Sequence, residues 1–372
     1  MRYCVTVGRG MEPFVKKQLG QIQDVKIDET IMEGKILFDA SNSDKLNSLR
    51  CAERLFLVVA NEMIDCNWNK RQLFDKLFSL FGRNSLLNSA CEAAFNCMLC
   101  CGEPSRSRTF RVSLKATGKW RRKIDTEKLS TSIACHIKRM SSFKNSLHFA
   151  VIEVCIHLSE KYIFIGIPIT RERLSQRRYL LNNALRSTVV DAMLSMANIQ
   201  DGDIVADLTC GSSSILLQTA HEFQDKGSCI LNFVFLLGID FCWDALQQSQ
   251  KNVDYLRKND NAEPSIDLLC MDLFSDCLKY VVVDHIISDI PFGQRYGTDQ
   301  SALQTLQRIC DIFSNCSNGS NSYISTAILL ISAMHLSSLR NMLKLPAHLK
   351  QHYPISLGTM QAAIVLLAND GE

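Results

Sequence analysis

The residues of this chain best suited to chemistry lie between Ser288 and Gly293, where Asp289, Pro291 and Phe292 stand close together. A carboxylate beside a rigid backbone carbonyl can accept hydrogen bonds from an amino group and stabilise the positive charge that develops as the nitrogen attacks a methyl group. Proline fixes such a loop, and an aromatic ring can stack on a base. A bare Asp-x-Pro-Phe is more often a structural turn, so the prediction depends on what precedes it.

Three acidic or small-residue positions come earlier in the chain, each after an apolar run. Asp207–Ser214 precedes a helix, where small residues let backbone amides approach a carboxylate. Asp240 could accept hydrogen bonds from ribose hydroxyls, and Asp272 could accept one from an adenine amino group. Singly, each aspartate is more often a turn or cap residue. Together they predict an S-adenosylmethionine site formed by Asp207, Cys210, Gly211, Ser213, Asp240 and Asp272.

The elements that must position these residues alternate between strand and helix from Leu185 onward. Strands are predicted at Ile204–Asp207, up to Asp240, at Ile266–Leu269 and at His285–Ser288. This alternation is typical of a doubly wound α/β sheet with parallel strands, which binds ligands at the carboxyl ends of its strands. A nicotinamide cofactor would use the same sheet, but its Gly-x-Gly-x-x-Gly fingerprint is absent.

A basic segment precedes this region. Seventeen Lys or Arg and five Asp or Glu residues lie between 105 and 180, whereas the whole chain carries a net charge of only +3. The clustering favours a polyanion partner over a merely solvated face. Trp120 could stack on a base or could equally be a packing residue. The residues predicted to contact RNA are Arg111, Lys115, Lys119, Trp120, Arg121, Arg122, Lys123, Arg177 and Arg178.

The composition is that of an ordinary globular protein, with 47% hydrophobic residues. The amino terminus lacks the apolar core of a secretory signal, and no segment approaches the length of a transmembrane helix, so we expect a soluble intracellular chain without a membrane partner. The 16 cysteines are then mostly reduced thiols. Cys97 and Cys100 lack a second pair at zinc-binding spacing, so no metal is expected.

The motifs, taken in order, resemble those of the THUMP-domain class of RNA guanine-N2 methyltransferases. The resemblance covers nearly the whole chain and is carried by Gly8–Val15, Ala52–Leu57, Leu185–Thr188, Asp207–Gly211, Ser288–Gly293 and Ser356–Gly358. It implies a THUMP RNA-binding module, methylation of a guanosine N2 amine in a small structured RNA, and a place for Arg186 at the cofactor site. It also implies a heterodimer with a small zinc-ribbon activator subunit.

Within this family the motifs are most similar to those of a member that acts on U6 spliceosomal RNA, so U6 is the expected substrate and the nucleus the expected location, with the cytoplasm as a second location. Transfer RNA is the alternative substrate. The activator could dock on an apolar strip at Phe233–Leu237, although a buried central strand fits that strip better.

Two positions depart from the family's cofactor loop. Ser213 stands where the family has its second glycine, and Leu208 replaces a proline. A Cβ at Ser213 is expected either to crowd the cofactor or to require a positive φ. A catalytically silent RNA-binding protein on the same fold is therefore a second hypothesis. A methyltransferase for DNA or for protein amines is a third, and the basic segment disfavours protein substrates.

The predicted fold class is α/β, with a Rossmann-like doubly wound methyltransferase domain preceded by an α+β THUMP-type RNA-binding region. The predicted organisation is an N-terminal α/β segment over 1–64, a THUMP-like domain over 65–170, a linker over 171–184 and the methyltransferase domain over 185–372.

Overall fold

The strands of this protein form two sheets, one in each of two units. The computed structural model describes residues 1–30, 32–41, 44–81, 84–100, 107–170, 172–177, 180–181, 185–224, 234–260, 264–275, 282–292, 298–316, 324–344 and 347–369. The first unit comprises Met1–Val7 and Val15–Leu174, and the second comprises Gly8–Phe14 and Ser175–Glu372.

The first unit contains an eight-stranded sheet. Its strands are β1 (Arg2–Thr6), β2 (Lys26–Ile27), β3 (Lys35–Asp39), β4 (Arg54–Met63), β5 (Thr109–Ala116), β6 (Lys144–Asn145), β7 (Ile152–Leu158) and β8 (Tyr162–Pro168), in the order β2-β3-β1-β4-β8-β7-β5-β6. The helices before the second sheet are α1 (Glu12–Gly20), α2 (Lys70–Phe81), α3 (Asn84–Cys100), α4 (Trp120–Lys123) and α5 (Thr126–Met140).

The predicted division between residues 64 and 65 is wrong. Strand β4 pairs with β8, with Leu57 opposite Ile167, so residues on both sides of the proposed boundary share one sheet. In the same unit Asp125 caps α5 by accepting a hydrogen bond from Lys128 N at 3.1 Å, and the helix buries Leu129, Ile133 and Ile137.

The second unit contains a seven-stranded sheet. Its strands are β9 (Ile204–Asp207), β10 (Phe235–Asp240), β11 (Ile266–Cys270), β12 (His285–Asp289), β13 (Thr326–Ser332), β14 (Ala347–Leu357) and β15 (Met360–Asn369), in the order β11-β10-β9-β12-β13-β15-β14. Its helices are α6 (Ser187–Ala197), α7 (Ser214–Gln224), α8 (Trp243–Asp260), α9 (Asp299–Cys316) and α10 (Leu336–Met342).

This sheet confirms the predicted doubly wound fold. Strands β9 to β13 run parallel, and β15 is antiparallel to both of its neighbours. The strand order reverses at β9, which lies between β10 and β12, and this is where open α/β sheets bind ligands. Ala327–Ile331 of β13 is wholly buried, as expected for a central parallel strand covered on both faces. The β14–β15 hairpin was not predicted.

Part of the predicted linker 171–184 belongs to the second unit, which begins at Ser175. The Ser187 hydroxyl donates a hydrogen bond to the Ser175 carbonyl, and Arg177 forms a buried ion pair with Asp191 at 2.5 Å. Residues that pack and pair in this way act as part of the fold rather than as a flexible connection.

The second unit also contains the amino-terminal segment Gly8–Phe14. Ser356 N donates a hydrogen bond to the Arg9 carbonyl at 3.0 Å. Gly10 has a φ of +87°, and a Cβ at this position would overlap the Pro354 carbonyl, so only glycine fits. Two of the motif segments, from opposite ends of the chain, thus meet beside β14.

Among the described residues, no helix is long and apolar enough to cross a membrane.

Candidate active site

The strand-end aspartates lie at one edge of the second sheet. Gly211 N donates a hydrogen bond to Asp240 Oδ2 at 2.9 Å, which joins the loop after β9 to the end of β10. The Thr209 hydroxyl donates to the Asp289 carbonyl at 3.0 Å, which joins the same loop to the end of β12. The predicted cofactor loop and the predicted catalytic loop are therefore in direct contact.

Asp207 supports this loop from inside. Its buried carboxylate accepts a hydrogen bond from Thr209 N at 3.1 Å, and burial, with smaller contributions from the charges of Asp289 and Asp240, raises its pKa to about 8. The buried Leu208 N donates to Ser288 Oγ at 2.9 Å. A proline at this position would have no N–H group, so the N–H group that Leu208 brings is paired. Asp207 thus shapes the loop rather than facing solvent.

Gly211 and Asp240 form the open side of the loop. Gly211 has a φ of +52°, and a Cβ there would meet no atom within 4 Å, so the space beside its backbone is free for a ligand. The Asp240 carboxylate is held by Gly211 N and by Cys242 N, each at 2.9 Å. Each carboxylate oxygen retains a further lone pair, which suits hydrogen bonds from a ribose diol.

Ser213 adopts the positive φ expected of it, at +62°. For a residue with a Cβ this conformation costs about 1–2 kcal/mol. The side chain is wholly buried, and its hydroxyl lies 2.5 Å from Ser249 Oγ of α8. It therefore packs against α8 and leaves the space beside Gly211 open, so the expected crowding is not seen.

The thiol of Cys210 does not face the open side of the loop. The sulfur is buried against Gly238 of β10, where a side chain on Gly238 would crowd it. Burial raises the pKa of the thiol. Only its backbone could touch a cofactor. Arg186 is exposed just before α6, and in the described part of the chain its guanidinium makes no hydrogen bond to the cofactor loop.

Asp272 lies in the loop after β11 and is exposed, with Oδ1 accepting a hydrogen bond from Phe274 N at 3.0 Å. Arg308 of α9 fixes this loop by donating to the Leu273 carbonyl at 3.0 Å and to the Ser275 carbonyl at 3.1 Å. The Asp272 carboxylate is thus presented from a loop held by a second element.

Two aromatic residues next to the strand-end aspartates were missed by the sequence analysis. Phe241 directly follows Asp240 and is 80% exposed, and Phe274, two residues after Asp272, is 54% exposed. Exposed aromatic side chains beside polar groups are typical walls of a pocket for a planar ring. The available signal was an aromatic residue within two positions of Asp240 and of Asp272.

The predicted catalytic loop begins with Asp289, whose pKa burial raises to about 7. Ile290 N donates to the Leu330 carbonyl at 3.0 Å, which anchors the loop to β13. Because the Asp289 carbonyl is occupied by Thr209, the carbonyl available to an amine is that of Ile290 or Pro291. Phe292 is half-buried, and Gly293 lies outside the described residues.

The edge of the sheet is acidic. The charges of Asp240 and Asp289 each contribute to the raised pKa of Asp207. Neighbouring carboxylates favour a cationic ligand, because a positive charge relieves their mutual repulsion.

The structure disagrees with three of the predicted RNA contacts in this conformation. Trp120 is wholly buried and cannot stack on a base, because its indole belongs to the core. Arg177 is neutralised in its ion pair with Asp191, where its side chain is only 8% exposed. Lys119 donates to the carbonyls of Cys66 and Trp68, so its ammonium is occupied within the first unit.

The remaining basic residues are more accessible. Arg111 shares Glu153 with Arg54, at 3.3 Å and 3.1 Å respectively. The exposed cations are Lys115, Arg121, Arg122 and Lys123. Arg178 lies outside the described residues, as do the side chains of Cys97 and Cys100. Within the described ranges, no three His, Cys, Asp or Glu residues are placed to hold a metal ion.

Comparisons with known proteins agree with this geometry. Residues 175–354 match a family model described as RMKL-like, methyltransferase domain. Over 226 residues the chain is 34% identical to U6 snRNA (guanine-N(2))-methyltransferase THUMPD2 of Mus musculus, covering 60% of this chain and 40% of that protein. Over 175 residues it is 27% identical to human tRNA (guanine(6)-N(2))-methyltransferase THUMP3, covering 43% of this chain and 33% of that protein.

The crystal structure of TrmN from Thermus thermophilus superposes with a TM-score of 0.67 at 16% identity, covering 99% of both chains, and so has the same fold. The chain spans about two fifths of the length of the curated U6 RNA methyltransferases it matches.

Proposed function

We propose that this chain, whose residues 175–354 match the RMKL-like methyltransferase domain model, methylates the N2 amine of a guanosine in a small structured RNA. The observation that carries the proposal is the contact between Thr209 and Asp289, together with the contact between Gly211 and Asp240. These two hydrogen bonds hold a loop suited to a methyl donor against a loop suited to an amine.

S-adenosylmethionine supplies a methyl group on a positively charged sulfur. In this chain the open backbone at Gly211, the Asp240 carboxylate and Asp272 are the residues that would hold it, with Phe241 and Phe274 as apolar walls. The acidic edge of the sheet favours its charge.

Asp289 and the Ile290–Pro291 backbone would orient the amine. A guanine amino group donates its two protons to the carboxylate and to a fixed carbonyl, which directs the nitrogen lone pair at the methyl group. In the transfer the nitrogen would take the methyl group from the donor sulfur, which would leave as a neutral thioether, and the Asp289 carboxylate would accept the proton that the nitrogen loses. A pKa raised to about 7 makes it a stronger base than an ordinary aspartate. Phe292 offers a ring for stacking.

U6 spliceosomal RNA is the substrate we propose, because the 34% identical relative is named for it. Transfer RNA is the second candidate, favoured by the 27% identical relative. Action on U6 would place the protein in the nucleus. The silent alternative is disfavoured because Ser213 packs away from the open side of the loop.

We further propose that a zinc-ribbon activator subunit docks on the outer edge of β11. This strand is outermost in the sheet, and within the described residues no strand pairs with its outer side. Leu269 is 42% exposed, and Cys270 is also exposed. An unpaired edge with apolar residues can accept a strand from a partner. Of the alternative strip at 233–237, residues 235–237 belong to β10, where Phe235 is exposed but Leu236 is buried, and Phe233 lies outside the described residues.

For the RNA itself, we propose that residues 65–170 act as a THUMP-like module within the first unit. The exposed cations Lys115, Arg121, Arg122 and Lys123 would contact phosphates.

The experiment that tests the proposal is incubation of the chain, with and without an activator subunit, with methyl-labelled S-adenosylmethionine and total RNA, followed by digestion to nucleosides. We expect label in N2-methylguanosine, and in U6 when RNAs are separated first. Label in another nucleoside would overturn the chemistry. Failure of the chain to bind the donor in isothermal titration, in both settings, would favour the silent alternative.

A further inference from the structure

Helix α8 buries two polar side chains on one face. Ser249 and Asn252 are both wholly buried, and residues three apart on a helix lie on the same side. The buried apolar residues Leu246, Val253 and Leu256 pack the same helix into the unit. A helix that must be buried would be more stable with apolar residues at those two positions, so polar groups there call for a partner.

Each side chain makes a hydrogen bond to the cofactor loop. Ser249 Oγ lies 2.5 Å from Ser213 Oγ, and Asn252 Nδ2 donates to the Ser212 carbonyl at 2.9 Å. Ser213 is the residue that takes a positive φ, a conformation disfavoured for any side chain with a Cβ. The two contacts therefore act at the point of the loop where the backbone is most strained.

We propose that Ser249 and Asn252 are positioning residues that hold the turn at Ser212–Ser213 so that the open side of Gly211 faces the methyl donor. The inference rests on the proposed function. A serine at position 213 adopts a positive φ less readily than the glycine of the family loop. Ser249 stabilises this conformation by hydrogen bonding to the buried Ser213 hydroxyl. Asn252 acts separately, because it grips the backbone carbonyl and would do so whatever side chain stood at 213.

The first test is a double-substitution cycle in the full chain, read by isothermal titration with S-adenosylmethionine. Ser249→Ala leaves the Ser213 hydroxyl buried without this partner. We expect the Kd for the donor to rise about tenfold, which corresponds to about 1.4 kcal/mol. Adding Ser213→Gly removes that hydroxyl and tolerates the positive φ, so the double variant is expected to return to within about twofold of the unsubstituted chain.

Asn252→Ala separates the two contacts. Its donor affinity is expected to fall by a similar factor, but Ser213→Gly is not expected to restore it, because the lost bond is to the Ser212 carbonyl. Thr219→Val is the matched control, since Thr219 is also wholly buried but its hydroxyl bonds to Ile215 O within α7. This control is expected to keep its donor affinity. At saturating donor, kcat of Ser249→Ala is expected to stay within twofold, because the Asp289 loop is untouched.

Unchanged donor affinity in Ser249→Ala, or failure of Ser213→Gly to restore it, would overturn the inference while leaving the proposed function intact. Absence of donor binding by the unsubstituted chain would overturn both, so the two failures are distinguishable.

Discussion

The cofactor loop of the second unit and the basic segment over 105–180, most of which lies in the first unit, make a useful contrast. Both were predicted from residue type and spacing. The loop residues converge on one edge of a sheet, whereas Lys119 and Arg177 already make hydrogen bonds or ion pairs with other residues of their own units. A residue at the end of a parallel strand has its place fixed by the sheet. The place of a charged side chain depends on distant residues that offer it a partner.

A second contrast concerns buried titratable groups. In the second unit burial raises the pKa of Asp207 to about 8, whereas in the first burial lowers the pKa of Lys35 to about 8 and that of His157 to about 3. Lys35 Nζ lies 2.8 Å from His157 Nδ1 and 3.0 Å from Tyr162 OH. Shifted pKa values therefore do not identify an active site on their own. What separates the two clusters is the open backbone at Gly211 next to Asp207.

The largest effect is expected from Asp289→Asn. Replacing the carboxylate keeps the shape of the side chain but removes the charge that orients the amine and accepts its proton. We expect the rate of methyl transfer at saturating donor to fall by about 100- to 1,000-fold. The donor Kd should stay within about twofold. Single-turnover kinetics and titration calorimetry measure the two quantities. A variant that retains most of its rate would show that the loop after β12 is structural.

A smaller loss is expected from Asp240→Ala, in donor binding. The substitution removes the acceptor of Gly211 N and the proposed acceptor of the ribose hydroxyls. Since hydrogen bonds to a charged group contribute roughly 1.5–3 kcal/mol, the donor Kd is expected to rise about 10- to 100-fold. Asp254→Asn is the control, because Asp254 is an exposed carboxylate on α8. Equal affinities in the two variants would contradict the role of Asp240.

RNA binding provides the next test, because it asks whether exposed cations differ from buried ones. Replacing Arg121, Arg122 and Lys123 together by Gln is expected to weaken RNA binding about tenfold and to lower the slope of log affinity against log salt by about 2. Filter binding over a salt series measures both.

Arg177→Gln is the comparison for that triple variant. Its guanidinium is paired with Asp191, so its loss is expected to reduce the free energy of unfolding and leave the salt slope unchanged. A change of slope in Arg177→Gln would show that the ion pair opens to meet RNA.

The sequence predicted most of the second sheet and the location of the site. Strand β9 and the end of β10 at Asp240 follow from short apolar runs that stop at an aspartate, and the fold then places these stops side by side. The positive φ at Ser213 was also predictable, because a motif that elsewhere carries glycine constrains the backbone.

The parts that failed depend on contacts distant in sequence. The boundary at residue 64 was wrong because β4 finds its partner in β8, about a hundred residues later, and no local pattern reports that pairing. Trp120 lies in a basic run, yet its ring is buried. Ser249 and Asn252 belong to no recognisable sequence motif. Their proposed role follows only from their contacts with Ser213 and Ser212 in the structure.

The effect that most directly tests the contrast between the two buried clusters is on stability against pH. Asp207 has a folded pKa above its unfolded value, so its contribution is complete below about pH 3.8 and is lost as pH rises toward 8. His157 has a folded pKa of about 3, below its unfolded value of 6.5, so its contribution grows as pH rises between those values. The two units should therefore respond in opposite directions between about pH 4 and pH 6.5.

Hydrogen exchange followed separately in the two sheets at pH 4.5 and pH 6.5, after correction for the intrinsic exchange rate, measures this directly. Protection of β9 and β12 is expected to decrease with rising pH and protection of β7 and β8 to increase. Asp207→Asn should reduce the first trend only, leaving the part that Asp289 contributes through its own raised pKa, and His157→Gln should reduce the second only. If Asp207→Asn left the trend in β9 unchanged, its carboxyl group would have to titrate at an ordinary pKa, and the buried, loop-shaping role assigned to it would be lost.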